Sequence, residues 1–220
     1  MSRAFADLAF TPLVKAQQKQ HGSREQYERV GQSGNAGNTL GPQERDFIER
    51  RDGFYMATVS ETGWPYIQYR GGNPGFVRIL DDRTLGFADL RGNRQYITTG
   101  NLEHDNRVSL FFMDYPHQAR LKILGRAEVH EGTAATHELL EKLRDPEEKS
   151  PVERAVLIHI EAFDWNCPQH ITPRFTEAEI NKGLEPLRKQ LAALEEENAR
   201  LRAASTAVSV VAGGSATTKL

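Results

Sequence analysis

The sequence predicts a mainly β protein in which one small antiparallel sheet is flanked by helices. Segments rich in β-branched and aromatic residues, several of them alternating with polar residues, fill the chain between residues 53 and 162. Short turns containing glycine or aspartate separate several of them, which is typical of strands joined by hairpins. About six strands of this kind close naturally into a barrel, because a closed sheet has no exposed edges. A two-sheet sandwich has the same periodicity, so the pattern alone leaves both architectures open.

Composition limits the kind of protein and its partners. The 220 residues are 38% hydrophobic and 26% charged, and their formal net charge is -2. Basic residues are balanced by acids along the chain, so we expect no nucleic-acid partner. One cysteine, Cys167, excludes a disulfide within the chain and fits a reducing cytoplasm. No apolar run approaches the roughly 20 residues of a bilayer span, and no signal peptide is indicated, so we expect a cytoplasmic protein.

Residues 1–41 are predicted to form a helix and a loop outside the main domain. Apolar residues within 1–20 are spaced for a short amphipathic helix, and the glycines and asparagines of 31–41 predict a loop. A second helix follows, with Pro42 in its first turn. This helix opens the main domain, predicted over residues 42–175.

Strands make up most of the predicted main domain. The predicted strand segments span residues 53–60, 64–70, 76–80, 84–88, 107–113, 119–130 and 152–162. Residues 94–104 and 134–144 are predicted to be helical, the second on the spacing of its leucines.

The C-terminal region, residues 176–203, is predicted to be a helix with the pattern of a coiled coil. Thr176 and Glu179 fit a capping box at its start, and Gly183 and Pro186 interrupt it. Beyond them, residues suited to the a and d positions of a coiled coil recur at 4, 3, 4, 3 spacing. They form a stripe along the helix, called the seam here: Leu187, Leu191, Leu194, Asn198 and Leu201.

Asn198 falls at an a position of that seam, where one buried asparagine favours a parallel dimer. Glu197 at g would then meet Arg202 at e of a second chain. The alternative is an amphipathic helix packed on its own domain. The small, polar residues 204–220 are predicted to be disordered.

Two segments combine donors with backbone freedom, as a phosphate-binding site requires. Gln68-Tyr69-Arg70-Gly71-Gly72 ends a strand with an arginine fork and two glycines, which allow a ligand close to the backbone. The segment from Phe87 to Arg94 joins a strand to a helix predicted to start near Asn93, and a helix N-terminus attracts anions. The alternatives are a strand-end arginine before an ordinary turn, and a solvated loop.

Other chemistries have no matching motif. The sequence has no P-loop, no GxGxxG after a strand, no HExxH and no cysteine cluster, so no metal is expected. His130 and His137 are more typical of surface or core residues than of ligands. Cys167 is interpreted as a small packing residue, since nothing marks a lowered thiol pKa.

In order, the segments from Gly53 to Glu131 resemble the flavin-binding core of the pyridoxamine 5′-phosphate oxidase-like family. They are W-P-x-x-Q-Y-R-G-G, F-A-D-x-x-G-N-R, N-L-x-x-x-x-R-V-S-L-F-F and R-L-K-I-x-G-x-A-E. The resemblance extends over residues 5–175. Within the family, the chain is similar to an uncharacterised longer branch. It implies a six-stranded antiparallel split β-barrel, a homodimer, and FMN bound at sites shared between two subunits.

The resemblance also implies which residues bind the cofactor. By position these are Gln68, Tyr69, Arg70, Gly71, Phe87, Ala88, Asp89, Arg91, Asn93, Arg94, Arg120 and Trp165. Asn93 and Arg94 match the phosphate-holding pair, while Gln68 and Arg70 match contacts to the ring edge or ribityl chain. Arg120 and Trp165 could come from the opposite subunit.

Two departures separate the chain from true oxidases. Ala88 replaces a threonine, and Arg174 is followed by Phe175 rather than by the Arg-x-His pattern that binds the substrate. Pyridoxamine 5′-phosphate is therefore not the expected substrate. The resemblance implies an FMN-dependent oxidoreductase of unknown substrate, with NAD(P)H as an electron donor and deazaflavin or haem as other ligands. The alternatives are a non-catalytic flavin or haem binding or sensing protein, and an assembly role through the tail.

Overall fold

The computed structural model describes residues 1–33, 36–165 and 169–213. The chain divides into two compact units, Met1–Pro173 and the residues from Arg174 onward. The helices are α1 Arg3–Ala9, α2 Pro12–Gln20, α3 Arg24–Ser33, α4 Pro42–Glu49, α5 Ile97–His104, α6 Ala134–Leu143 and α7 Glu177–Gly213. The strands are β1 Gly53–Val59, β2 Pro65–Gly71, β3 Arg78–Ile79, β4 Thr84–Leu90, β5 Arg107–Asp114, β6 Ala119–His130 and β7 Val152–Trp165.

The first unit contains one antiparallel sheet with the strand order β2-β1-β5-β6-β7-β4-β3. Burial alternates along β1 and β5, so one face of these strands forms the core. The β1–β2 hairpin turns at Gly63, whose φ of 85° suits glycine and whose N–H donates to the Ser60 carbonyl at 2.8 Å. This turn sets the register that pairs Phe54 with Arg70.

Curvature brings the two ends of the sheet together. The ring of Phe54 on β1 lies 5.5 Å from that of Phe87 on β4, although three strands separate β1 from β4 in the sheet order. Arg70 on β2 forms an ion pair with Asp89 on β4 at 2.8 Å. The edge strands β2 and β3 are not hydrogen-bonded to each other among the described residues. The fold is therefore a mainly β, split barrel, as predicted.

The strand prediction differs from the structure mainly in number and at the edge. All seven predicted segments contain a strand, so the sheet has one strand more than the six expected of the barrel, and the 76–80 segment forms only the two-residue edge strand Arg78–Ile79. β6 has the predicted bounds. β4 and β7 extend beyond theirs, to Leu90 and Trp165.

The N-terminal prediction of one helix and a loop was incomplete. Residues 1–20 form two helices, because Thr11 caps the second through its hydroxyl and Pro12 begins it. A third helix, Arg24–Ser33, covers a stretch for which no element was predicted and enters the predicted loop. The structure also holds Ser2 in the first unit, where its hydroxyl donates to the Phe163 carbonyl at 2.5 Å.

The second unit is built around α7. Thr176 and Glu179 form the predicted capping box: the Thr176 N–H donates to the Glu179 carboxylate at 2.8 Å, and the Glu179 N–H donates to the Thr176 hydroxyl at 3.2 Å. The helix continues through Gly183 and Pro186, where an interruption was predicted, and ends at Gly213 rather than 203. The rest of the tail predicted to be disordered, 214–220, lies outside the described residues.

Candidate functional site

An open cleft of about 430 Å³ lies where the free side of β2 meets β4 and the start of α5. Its lining residues are Tyr66, Gln68, Arg70, Asp89, Leu90, Gly92, Asn93, Arg94, Gln95, Tyr96, Ile97, Thr98, Thr99, Glu153 and Arg154. The period of a strand explains the β2 contribution, because Tyr66, Gln68 and Arg70 project to one face. The wall of the cleft is mainly polar.

A buried cluster of charges forms the floor of the cleft. Asp89 is 6% exposed and accepts from Arg70 at 2.8 Å and from Arg154 at 3.1 Å, one carboxylate oxygen for each guanidinium. Arg154 also pairs with Glu131, and with Glu153 at 3.1 Å. The Nε of Arg70 is buried without a hydrogen-bond partner among the described residues. A buried donor of this kind carries a desolvation cost that a polar ligand would remove.

Sequence reasoning missed Arg154. It lies at an even-numbered position of β7, and the even-numbered positions from Val156 to Ile160 point into the core. An arginine at a core-facing position is the signal that could have identified it, since buried arginines are rarely unpaired. The sheet register then places it directly opposite Asp89.

Two hydrogen bonds attach α5 to the sheet. At its start, the Thr98 hydroxyl donates to the side-chain Oε1 of Gln68 on the cleft wall at 3.0 Å, and farther along the helix the Asn101 side chain donates to the Thr58 hydroxyl on β1 at 2.9 Å. α5 begins at Ile97, so the prediction of a helix N-terminus near Asn93 was wrong. The physical reason lies in the backbone before the helix, which is left-handed at Tyr96.

The loop after β4 holds two non-glycine residues in the left-handed region, Arg94 at φ 61° and Tyr96 at φ 54°. Such residues cost about 1 kcal/mol or more each, and they concentrate at functional sites. Side chains fix the loop: the Arg94 Nε donates to the Tyr96 hydroxyl at 3.3 Å, and the Tyr96 hydroxyl donates to Glu153 at 3.4 Å. The Arg154 guanidinium lies 5.1 Å from the centre of the Tyr96 ring. These contacts therefore fix the backbone conformation of the loop at Arg94.

Glu153 ties this loop to β7. Burial alone would raise the pKa of the Glu153 carboxyl, but the hydrogen bond from Arg91, at 3.1 Å, and the charge of Arg154 hold it below its usual value. Glu153 is thus held as a carboxylate among arginines and is not placed as an acid near neutral pH.

The structure brings five of the predicted residues into the cleft: Gln68, Arg70, Asp89, Asn93 and Arg94. Arg91 lies in the same loop as Asn93 and Arg94, and it forms an ion pair with Glu153 on β7. Gly71 and Ala88 instead line a second cavity of about 330 Å³, next to Phe76 and Leu143. Phe87 is a core residue, and Tyr69 lies on the opposite face of β2 with its ring 5.4 Å from that of Tyr55.

Arg120 and Trp165 do not line the cleft of the single chain. The Arg120 guanidinium lies 5.9 Å from the centre of the Phe111 ring, and its Nε is buried without a partner among the described residues. Trp165 donates its indole N–H to Glu44 at 2.7 Å and packs edge-on against Phe47 at 4.7 Å. Within one chain, Trp165 therefore joins β7 to α4.

The described residues contain neither a candidate metal centre nor a candidate membrane span. No group of three or more histidine, cysteine, aspartate or glutamate side chains is arranged to hold a metal ion in that part of the chain. No helix there is both long and apolar enough to cross a bilayer. Cys167 lies outside the described residues.

The fold and the cleft define a split-barrel protein with a polar cleft at the barrel's open side. Comparison with known families finds that residues 40–166 match the pyridoxamine 5′-phosphate oxidase family. The chain belongs to that family, so the resemblance noted in its motifs is confirmed. No curated protein matches the chain.

Solved structures with a similar fold are distant in sequence. HupZ from Group A Streptococcus is 18% identical, with a TM-score of 0.45 over 62% of this chain and 99% of its own. A protein related to general stress protein 26 from Clostridium acetobutylicum is 17% identical, with a TM-score of 0.42 over 63% and 94%. An F420 reductase is 19% identical, with a TM-score of 0.41 over 57% and 98%.

Proposed function

We propose that the protein binds FMN in the cleft and acts as an FMN-dependent oxidoreductase. The observation that carries this proposal is the convergence of Gln68, Arg70, Asp89, Asn93 and Arg94, which the family resemblance assigns to the cofactor. Arg70 on β2 lies 19 residues before Asp89 on β4, and the loop after β4 carries Asn93 and Arg94, yet all of these residues line one cleft. Membership of the family supports the same assignment.

The residues present fit the polar half of FMN. Arg94 and Asn93 would hold the phosphate, since a guanidinium matches phosphate oxygens with a fork of donors. Gln68 and Arg70 would hold the ring edge or the ribityl chain, and the Arg70 Nε has no other partner among the described residues. When bound, the flavin would supply the hydride or electron chemistry, while the chain binds and orients it.

The cleft of one chain is mainly polar, so the flat apolar faces of a flavin need a further surface. A homodimer would supply it, with Arg120 and Trp165 of the second subunit completing each site. An exposed apolar surface on the β1–β2 hairpin supports an interface: Val59, Trp64, Ile67 and Tyr69 are all exposed there. Arg120 and its buried, unpartnered Nε lie on a neighbouring part of the same outer sheet face.

A binding or sensing role without turnover is the second candidate. It is favoured by the engagement of both cleft carboxylates, Asp89 and Glu153, with arginines, which leaves neither as a general acid or base. Haem would need an axial ligand, and among the described residues that line the cleft only the phenols of Tyr66 and Tyr96 could take that role. For the first candidate, the FMN-dependent oxidoreductase, we propose NAD(P)H as the electron donor and the cytoplasm as the compartment.

The deciding experiment is the visible spectrum of the purified protein, followed by denaturation and identification of the released cofactor. Flavin bands and released FMN are expected, and reduction of the bound flavin by NADH or NADPH would separate turnover from storage. A Soret band would redirect the proposal to haem. A colourless protein that fails to bind added FMN would overturn it.

Arg94→Ala tests the placement of the phosphate. We expect FMN affinity to fall about tenfold or more in a fluorescence titration, because a charge-assisted hydrogen bond is worth about 1.5–3 kcal/mol. Arg50→Ala is the matched control, since Arg50 is exposed on the end of α4 and pairs with Asp46. Equal affinities for both variants would remove Arg94 from the site.

A further inference from the structure

The seam of α7 is longer in the structure than the sequence indicated. The helix continues through Gly183 and Pro186, so Ile180 and Leu184 join the spacing that begins at Leu187. The seam positions are Ile180, Leu184, Leu187, Leu191, Leu194, Asn198 and Leu201, which follow one another at 4, 3, 4, 3, 4, 3. This spans three heptads, the length at which a coiled-coil pattern becomes specific.

Neither helix-breaking residue blocks the seam. With Asn198 at position a of the heptad abcdefg, Pro186 occupies a c position and Gly183 a g position. A c position faces away from a partner helix, so the proline ring does not enter the seam. The missing N–H of Pro186 leaves the backbone hydrogen bond to Lys182 unmade, at a cost limited to that turn.

The two sides of α7 differ in how their side chains are used. Ion pairs lie on the outward positions, where Lys189 contacts Glu185 at 2.8 Å and Arg200 contacts Glu196 at 3.8 Å. The apolar seam residues remain between 38% and 64% exposed. A continuous stripe of exposed leucines is costly in water, unlike a single exposed leucine, and marks an interaction surface.

We propose that α7 pairs with α7 of a second copy of this chain as a parallel, in-register coiled coil. Asn198 determines which helix α7 pairs with and whether the two helices run parallel or antiparallel. In a parallel pair each a position meets its own copy, so the two Asn198 amides can hydrogen-bond to each other. In an antiparallel pair Asn198 would face a leucine at d, and its buried amide would have no partner.

Charge at the seam's flanks agrees with this pairing. Glu197 at g of one chain lies beside Arg202 at e of its copy when the helices are parallel and in register. Opposite charges at g and e stabilise this register, while a seam rich in leucine at d supplies most of the association.

Cysteine crosslinking in the full-length chain tests the pairing, with Cys167→Ser as the background. Leu201→Cys places a thiol at a d position, where it meets its own copy. Glu196→Cys, at an outward f position, is the matched control. Under mild oxidation we expect Leu201→Cys to form disulfide-linked dimers at least about tenfold faster than the control, because pairing raises the local thiol concentration.

Leu184→Cys, at an a position near the other end of the seam, is expected to crosslink to itself in the same way. Disulfides that form only between Leu184→Cys and Leu201→Cys chains in a mixture would mean antiparallel pairing, in which a faces d, and would overturn the proposal. Equal, slow crosslinking of all three variants would mean that the helix packs elsewhere. Circular dichroism checks that each variant keeps its helix, and the result does not depend on whether the barrel binds FMN.

Discussion

Two clusters of arginine and aspartate in the barrel unit contain the same kinds of group but differ in how fully those groups are satisfied. In the cleft, Asp89 lies between Arg70 and Arg154, and the Arg70 Nε has no partner among the described residues. At the end of β5, Asp114 pairs with Arg51 at 2.9 Å and accepts two hydrogen bonds from His117, at 3.1 and 2.9 Å.

The β5 cluster is closed by its own chain. The Arg51 Nε donates to the Phe47 carbonyl at 3.1 Å, and its guanidinium lies 4.8 Å from the centre of the Phe47 ring. The cluster therefore anchors the end of α4 to the β5–β6 turn. In the cleft cluster, by contrast, the Arg70 Nε has no hydrogen-bond partner among the described residues and can donate to a ligand, as a binding site requires. Satisfaction of hydrogen bonds, rather than residue type, separates the structural cluster from the candidate site.

The largest expected effect follows from removing the central charge of the cleft cluster. Asp89→Asn leaves Arg70 without a carboxylate in the described structure, and an uncompensated buried charge costs about 3 kcal/mol. We expect the free energy of unfolding, measured by urea titration at pH 7, to fall by about that amount. A loss below about 1 kcal/mol would mean that solvent already screens the cluster.

The second prediction separates binding from stability. Arg70→Gln is expected to lower FMN affinity about tenfold, since it removes a charge-assisted donor from the cleft. Arg51→Gln, the matched change in the β5 cluster, is expected to lower stability and to leave FMN affinity unchanged. Fluorescence titrations of both variants decide the matter. If the two variants bound FMN equally well, the distinction between an open and a closed cluster would fail.

The contrast also shows what the sequence can predict. Long periodic strands such as Ala119–His130 were predicted with their observed bounds, because alternation is set by the two faces of a sheet. Helix α3 has a polar sequence with very few apolar residues, so no element was predicted there. The late start of α5 depends on the left-handed backbone at Arg94 and Tyr96, which tertiary contacts impose against the preference of those residues.

The candidate site was predictable only in part for the same reason. The sequence motifs identified site residues such as Gln68 and Arg94. These two residues line the same cleft because the sheet curves into a barrel. The second partner of Asp89, Arg154, comes from β7, and only the strand register brings it opposite Asp89. Trp165 was predicted near the cofactor from its position in the chain, but within one chain its indole is bound to Glu44. Whether a second subunit brings it to the flavin is part of the proposal above.

The smallest expected effect concerns the closed cluster and its dependence on pH. Burial would raise the pKa of the Asp114 carboxyl, but the hydrogen bonds from His117 and the charge of Arg51 hold it below its usual value. A carboxyl whose pKa is lower in the folded state stabilises the protein above its unfolded pKa, about 3.9, and that stability is lost as the pH falls through the folded pKa.

Asp114→Asn should therefore cost about 1–2 kcal/mol at pH 7, because the amide still accepts hydrogen bonds but no longer carries the charge. The deficit relative to the wild type should begin to shrink as the pH falls below about 4, where the unfolded-state carboxyl takes up its proton, and should continue to shrink towards the lower folded-state pKa. Asp46→Asn, which alters the exposed pair with Arg50 on α4, is the control and should cost less than about 0.5 kcal/mol. Urea titrations from pH 7 to pH 3 measure all three proteins. A deficit for Asp114→Asn that stayed constant over this range would assign the cluster's contribution to packing and neutral hydrogen bonds rather than to its ion pair.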